Sequence, residues 1–162
     1  MIRALALAGL LATPPALPTP RPCFTPDELR DTIIVAIPAG MDVAIERCRG
    51  TLDPNAFIMT GTGRAFLERL RADALPRRAR VVASWHRFRG AYGIPPDKSD
   101  SETMGTIYDT FVKGMGSIRP AQCRDLNSLI EALAPLPPSN IGSAIVATFA
   151  LVVSPDKDVL CR

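Results

Sequence analysis

Apolar positions recur at helical spacing along most of the chain. The clearest stripe is Val81, Trp85, Phe88 and Tyr92, spaced so that all four share one side of a helix that ends at Gly93-Ile94-Pro95-Pro96. Before it, Phe66, Leu67, Leu70 and Leu75 form an amphipathic pattern interrupted by Pro76, and Gly61-Thr62-Gly63 separates that pattern from a short helix starting at Asp53-Pro54. Phe57, Ile58 and Met59 are its candidates for burial. The first helix opens at Thr25-Pro26-Asp27-Glu28, a capping box with proline at the first helical position.

The second half reads the same way. A polar loop, Asp97-Lys98-Ser99-Asp100-Ser101, supplies serines able to cap a helix striped by Met104, Ile107 or Tyr108, Phe111, Met115 and Ile118. Cys123 opens another, with Leu126, Leu129, Ile130 and Leu133, which Pro135-Leu136-Pro137-Pro138 must end. The uncharged run from Ile141 to Val153 is too short to span a bilayer and is expected as a buried central helix. No segment alternates apolar and polar residues between hairpin turns. The predicted fold is all-α, a small disulfide-stabilised bundle of about six or seven helices.

The N-terminus has a different character. Met1-Ile2-Arg3 followed by Ala4 to Ala12 reads as a secretory signal peptide, assigned to residues 1–16, with the cut placed between Ala12 and Ala16. Arg21-Pro22 before Cys23 rules out a lipid-modified cysteine. Residues 17–22 form a proline-rich spacer, and 23–162 a single helical domain. The short alanine- and leucine-rich signal points to a secreted or periplasmic bacterial protein, as does a basic set in which three of 19 residues are lysine.

The 162 residues are 47% hydrophobic and 22% charged, which suits one globular domain and excludes a fully disordered chain. A net charge of +3 on an exported chain argues against nucleic acid as a partner. Four cysteines, Cys23, Cys48, Cys123 and Cys161, suggest two disulfides. Their wide spacing and the single histidine exclude a zinc site, and no cofactor or metal motif is present.

A helical hairpin of 123–133 and 141–153 would bring Cys123 close to Cys161, leaving Cys23 to pair with Cys48. That second pair conflicts with the apolar pattern. Ile34, Ile37, Met41, Ile45 and Cys48 keep helical spacing straight through Pro38. A continuous helix would hold Cys23 and Cys48 roughly 37 Å apart, far beyond disulfide reach. The favoured pairing therefore requires Pro38-Ala39-Gly40 to be a turn.

For chemistry, the strongest electrostatic feature is the block from Arg64 to Arg89, which holds eight arginines against Glu68 and Asp73. Arg77, Arg78, Arg80, Arg87 and Arg89, with Trp85, form a candidate anion-facing surface, because the guanidinium fork suits phosphate and carboxylate. The competing explanation is a solvated face on an arginine-biased chain. His86 is the only histidine and could act as a base, but no G-x-S-x-G or comparable signature supplies a nucleophile. Ser154-Pro155-Asp156-Lys157 matches S-x-x-K alone and reads as chance. Gly61-Thr62-Gly63-Arg64 could hold an anion on free amides but lacks the phosphate-loop spacing.

The expected role is that of a non-catalytic helical protein that binds or supports something. Its expected partner is an unknown protein or an anionic membrane or envelope surface, with no transmembrane span. A hydrolase using His86 is the further alternative.

Overall fold

The computed structural model describes residues 23–88, 95, 97–115, 117–152 and 160–161. The expected signal peptide and spacer, Arg89, Tyr92 and the Ser154 to Lys157 pattern lie outside the described residues. Among these residues, six α-helices run in the order α1 (Pro26–Cys48), α2 (Gly61–Ala74), α3 (Arg78–His86), α4 (Asp100–Met115), α5 (Cys123–Leu133) and α6 (Pro138–Val152). Single 3-10 turns occupy Phe57–Met59, Leu75–Arg77 and Pro120–Gln122. Among the described residues there is no β-strand, only an isolated parallel bridge between Phe24 and Leu160. Because α2 runs into α3 through Leu75–Arg77, the helices among the described residues amount to five rods, against the six or seven expected.

Local chemistry sets several helix ends as the sequence predicts. Glu28 N donates to Thr25 Oγ1 at 3.2 Å while Thr25 N donates to Glu28 Oε2 at 2.9 Å, completing the capping box of α1. Ser99 N donates to Glu102 Oε2 at 2.9 Å, a similar arrangement ahead of α4. Pro76 does not break the chain's helical course. It sits within a 3-10 turn, where the missing amide costs little, and the changed winding leaves Leu75 exposed and Ala74 buried.

The central helix is α1, which corrects the expectation placed on 141–153. Every residue from Asp31 to Ala36 is buried, and α1 packs against α2, α3, α4 and α6. It runs unbroken through Pro38, so the turn at Pro38-Ala39-Gly40 does not form. A proline inside a helix costs about 3 kcal/mol. Here that is offset by packing on several sides, since Pro38, Gly40, Met41 and Ala44 are all buried. α6 lies along α1 with Gly142 at the contact, where a Cβ would come within 2.9 Å of Ile34 Cγ1 and Arg30 Cγ. Its other side, Ser143, Ala144, Ala147, Thr148 and Leu151, is exposed.

The disulfides follow from this arrangement and differ from the favoured pairing. Cys48 joins Cys123 with Cα atoms 5.5 Å apart, tying the end of α1 to the start of α5. Cys23 joins Cys161 at 5.0 Å, closing the domain's two ends. A straight α1 carries Cys48 away from Cys23. The expected α5–α6 hairpin is also absent, because α6 packs on α1 and α2 while α5 packs on the Phe57–Met59 turn.

Two apolar clusters result. One gathers Phe24, Val35, Val81, Trp85, Phe88 and Ile107, with Phe24 stacked on Phe88 at 3.9 Å between ring centroids. The other gathers Met41, Ile58, Phe66, Leu67, Leu70, Ile130 and Ile141 around the Cys48–Cys123 bridge.

Candidate functional site

Four arginines of the block, Arg71, Arg77, Arg80 and Arg87, meet carboxylates from other parts of the fold. Asp31 of α1, only 11% exposed at its side chain, accepts from Arg77 Nη1 at 2.6 Å and from Arg80 Nη2 at 3.0 Å. Arg77 also donates to Asp73. Burial pulls the Arg77 guanidinium down, but its bonds to Asp73 and Asp31 outweigh that and hold it above its ordinary value. Arg87 Nη2 donates to Glu28 Oε1 at 2.6 Å. Trp85 is buried, and its indole nitrogen donates to Thr32 Oγ1 at 3.3 Å. Of the six candidate anion-facing residues, Arg78 is exposed and has no ion-pair partner among the described residues. Four others are occupied inside the fold or by α1 carboxylates. The acidic partners were invisible to a reading along the chain, because Glu28 and Asp31 are about 50 residues upstream.

His86 Nε2 lies 3.5 Å from Asp100 Oδ1, an exposed carboxylate at the start of α4. Neither residue lines the apolar cavity described below. Gly61, Thr62 and Gly63 are the first turn of α2 rather than a separate loop, and Thr60 Oγ1 caps it by accepting from Gly63 N at 3.3 Å. That hydroxyl takes the place an anion would occupy. Among the described residues, no group of three or more His, Cys, Asp or Glu side chains is placed to hold a metal ion. No helix there is long and apolar enough to cross a membrane.

The feature that reading along the chain missed is an apolar cavity of about 150 Å³ where five helices meet. α1 contributes Ile37 and Met41, α2 contributes Phe66 and Leu70, and α4 contributes Phe111. Leu126, Ile130 and Leu133 of α5 close one wall, with Ile141 and Ile145 of α6. No lining side chain carries a charge or a hydrogen-bonding group. Ile130, Ile141 and Met41 are buried, whereas Ile37, Phe111, Leu126, Leu133 and Ile145 are half-buried and form its rim.

Apart from Ala36 and Gly40 of α1, the lining residues fall in the apolar patterns that predict helices. Only the angles at which the helices pack leave a gap between them. Outside the lining, Arg69 places its guanidinium 5.3 Å from the centre of the Phe66 ring. Its Nη2 donates to the carbonyls of Ala134 and Leu136 in the α5–α6 connection.

Comparison with protein-family models, with curated proteins and with solved structures returns no match to this chain. Its function is therefore read from the geometry.

Proposed function

We propose that this chain acts outside the cytoplasm as a non-catalytic binding protein whose ligand is a small apolar molecule held between α1, α2, α4, α5 and α6. The cavity carries the proposal. Well-packed interiors leave few voids larger than a water molecule. A space of about 150 Å³ walled only by apolar side chains has no partners for water. An enclosed apolar cavity of about this size takes up benzene or xenon in another protein, and this one opens to solvent through its half-buried rim. General acid–base or nucleophilic chemistry needs a titratable or nucleophilic group at the reacting atom, and this lining supplies none. The two disulfides support an oxidising compartment.

The test is binding of 1-octanol to the oxidised chain, followed by calorimetry and by thermal stability, with Ile145→Phe as the blocked variant. Ile145 lies at the half-buried rim, so the larger ring closes the cavity without disturbing its buried floor. Ile37→Phe serves if that variant fails to fold. Saturable binding that raises the melting temperature and is lost on blocking supports the reading. Absence of binding to the folded wild-type chain overturns it.

A further inference from the structure

The cavity wall that α5 supplies is held differently from the others. Leu126, Ile130 and Leu133 line the cavity from one face of α5, and Leu126 and Leu133 belong to its half-buried rim. Yet α5 packs mainly against the short turns Phe57–Met59 and Pro120–Gln122, whereas α1 packs along α2, α4 and α6. The cavity is the gap across which α5 stands off from the helices it faces. An element with few packed neighbours opens at a lower free energy than the core beside it.

The two ends of α5 are fastened unequally. Its first residue, Cys123, is bonded to Cys48 of α1, and one turn later Asn127 Oδ1 accepts from Ile58 N at 3.1 Å. At the other end, α5 has no basic residue in its last turn to meet the carbonyls that a helix leaves without partners. Arg69 of α2 meets them instead. Its Nη2 donates to the carbonyl of Ala134, the residue after the helix, and to that of Leu136 at 3.3 Å. Arg69 is exposed and its hydrogen bonds are reversible, whereas the cysteines at the opposite end are buried and covalently joined. Residues 135–137, which lead on to α6, are exposed, so the link beyond the latch is not packed into the core.

We propose that the C-terminal half of α5 is a gate on the cavity, hinged at Cys123 and latched by Arg69, and that the ligand enters and leaves as it swings outward. This rests on the apolar-pocket reading above and adds how that pocket is entered. Breaking the two bonds of Nη2 frees Leu133 to move away from the opposite rim and widens the mouth. The Cys48–Cys123 bridge keeps the helix in place for closing. Arg69 touches α5 rather than the ligand, so it acts as a positioning residue.

The test is hydrogen exchange of the oxidised full chain, with and without 1-octanol, for wild type, Arg69→Gln and Arg69→Lys. In wild type, residues 127–133 of α5 are expected to exchange at least about tenfold faster than residues 33–36 of α1, and 1-octanol should slow α5 selectively. Arg69→Gln should speed exchange in α5 by a further factor on the order of ten and leave residues 33–36 within about twofold. Arg69→Lys should fall between, because it retains a charged donor without the planar fork, and it carries the comparison if Arg69→Gln fails to fold. Arg69→Gln should also release 1-octanol faster with its Kd within about threefold, since more frequent opening speeds entry and exit alike.

Equal acceleration of α1 and α5 in Arg69→Gln would make Arg69 a general stabilising contact and overturn the gate, as would an unchanged rate of 1-octanol release. Either result leaves the apolar pocket standing. If 1-octanol does not bind the folded wild-type chain, the pocket reading falls and the gate falls with it.

Discussion

Arg77 Nη1 donates to Asp31 Oδ1 at 2.6 Å, locking the start of α3 to the buried centre of α1. The pair has a second arginine on the outside, since Arg80 reaches the other oxygen of Asp31, but Arg80 is 67% exposed at its side chain. Their worth should therefore differ. Asp31→Ala leaves Arg77 partly buried with only Asp73 and is expected to cost about 2–3 kcal/mol in urea unfolding. Arg80→Gln removes a solvent-screened partner and should cost less than about 1 kcal/mol. Equal losses would show that burial does not govern this network.

Trp85 reports on the same interface. With its ring in the core beside Phe24 and its nitrogen on Thr32, its emission should be blue-shifted. Anionic vesicles should leave that emission unchanged at low and high salt, because the arginines nearest it are bound to carboxylates of α1. Arg78→Glu is the informative variant for the envelope-surface alternative, since Arg78 has no carboxylate to release. Salt-sensitive vesicle binding lost in Arg78→Glu would restore that alternative.

The two disulfides close long segments, 75 and 138 residues apart in sequence. Loops of this length restrict the unfolded chain strongly, so replacing either pair by alanine should cost roughly 2–5 kcal/mol. A non-reducing digest should release peptides linking Cys48 to Cys123 and Cys23 to Cys161. Peptides linking Cys123 to Cys161 would contradict the arrangement of α1, α5 and α6.

Gly63 tests how closely α2 approaches the Phe57–Met59 turn. A Cβ there would collide with the Phe57 carbonyl oxygen and come within 2.9 Å of Ile58 Cα, both backbone atoms. Gly63→Ala is expected to destabilise by about 1–3 kcal/mol, although alanine is the better helix former. Gly61→Ala, with open space around it, should be neutral or slightly stabilising. The difference between the two midpoints in urea is the measurement.

Acid stability should depend on Glu28. Burial raises its carboxyl pKa, but bonds from Arg87 and from the Thr25 amide and hydroxyl outweigh that and hold it below the ordinary value. A group with a depressed folded pKa stabilises fully above its unfolded value, roughly 4.3, and loses that contribution as pH falls through the lower folded value. Glu28→Gln should therefore flatten the loss of stability between about pH 5 and 3. An unchanged slope would remove Glu28 from the acid response.

Hydrophobic spacing, caps and proline positions were enough to determine an all-helical chain, the starts of α1 and α5, the end of α5 and the buried stripe of α3. These are local properties, fixed by side chains within one or two turns of each other. What lay beyond local reach was the choice of the central helix. α6 carries no charge and looks interior, yet Ser143, Ala144, Ala147 and Thr148 are exposed, whereas α1 contains Asp31, Thr32 and Pro38 and is buried at every position from Asp31 to Ala36. Asp31 and Thr32 are tolerated there because Arg77, just before α3, and Arg80 and Trp85 within it hydrogen-bond to them, a pairing across about 50 residues that no spacing encodes. The disulfide pairing, the pairing of Arg77, Arg80 and Arg87 with α1 carboxylates and the apolar cavity follow from how the helices pack, which only the tertiary structure decides.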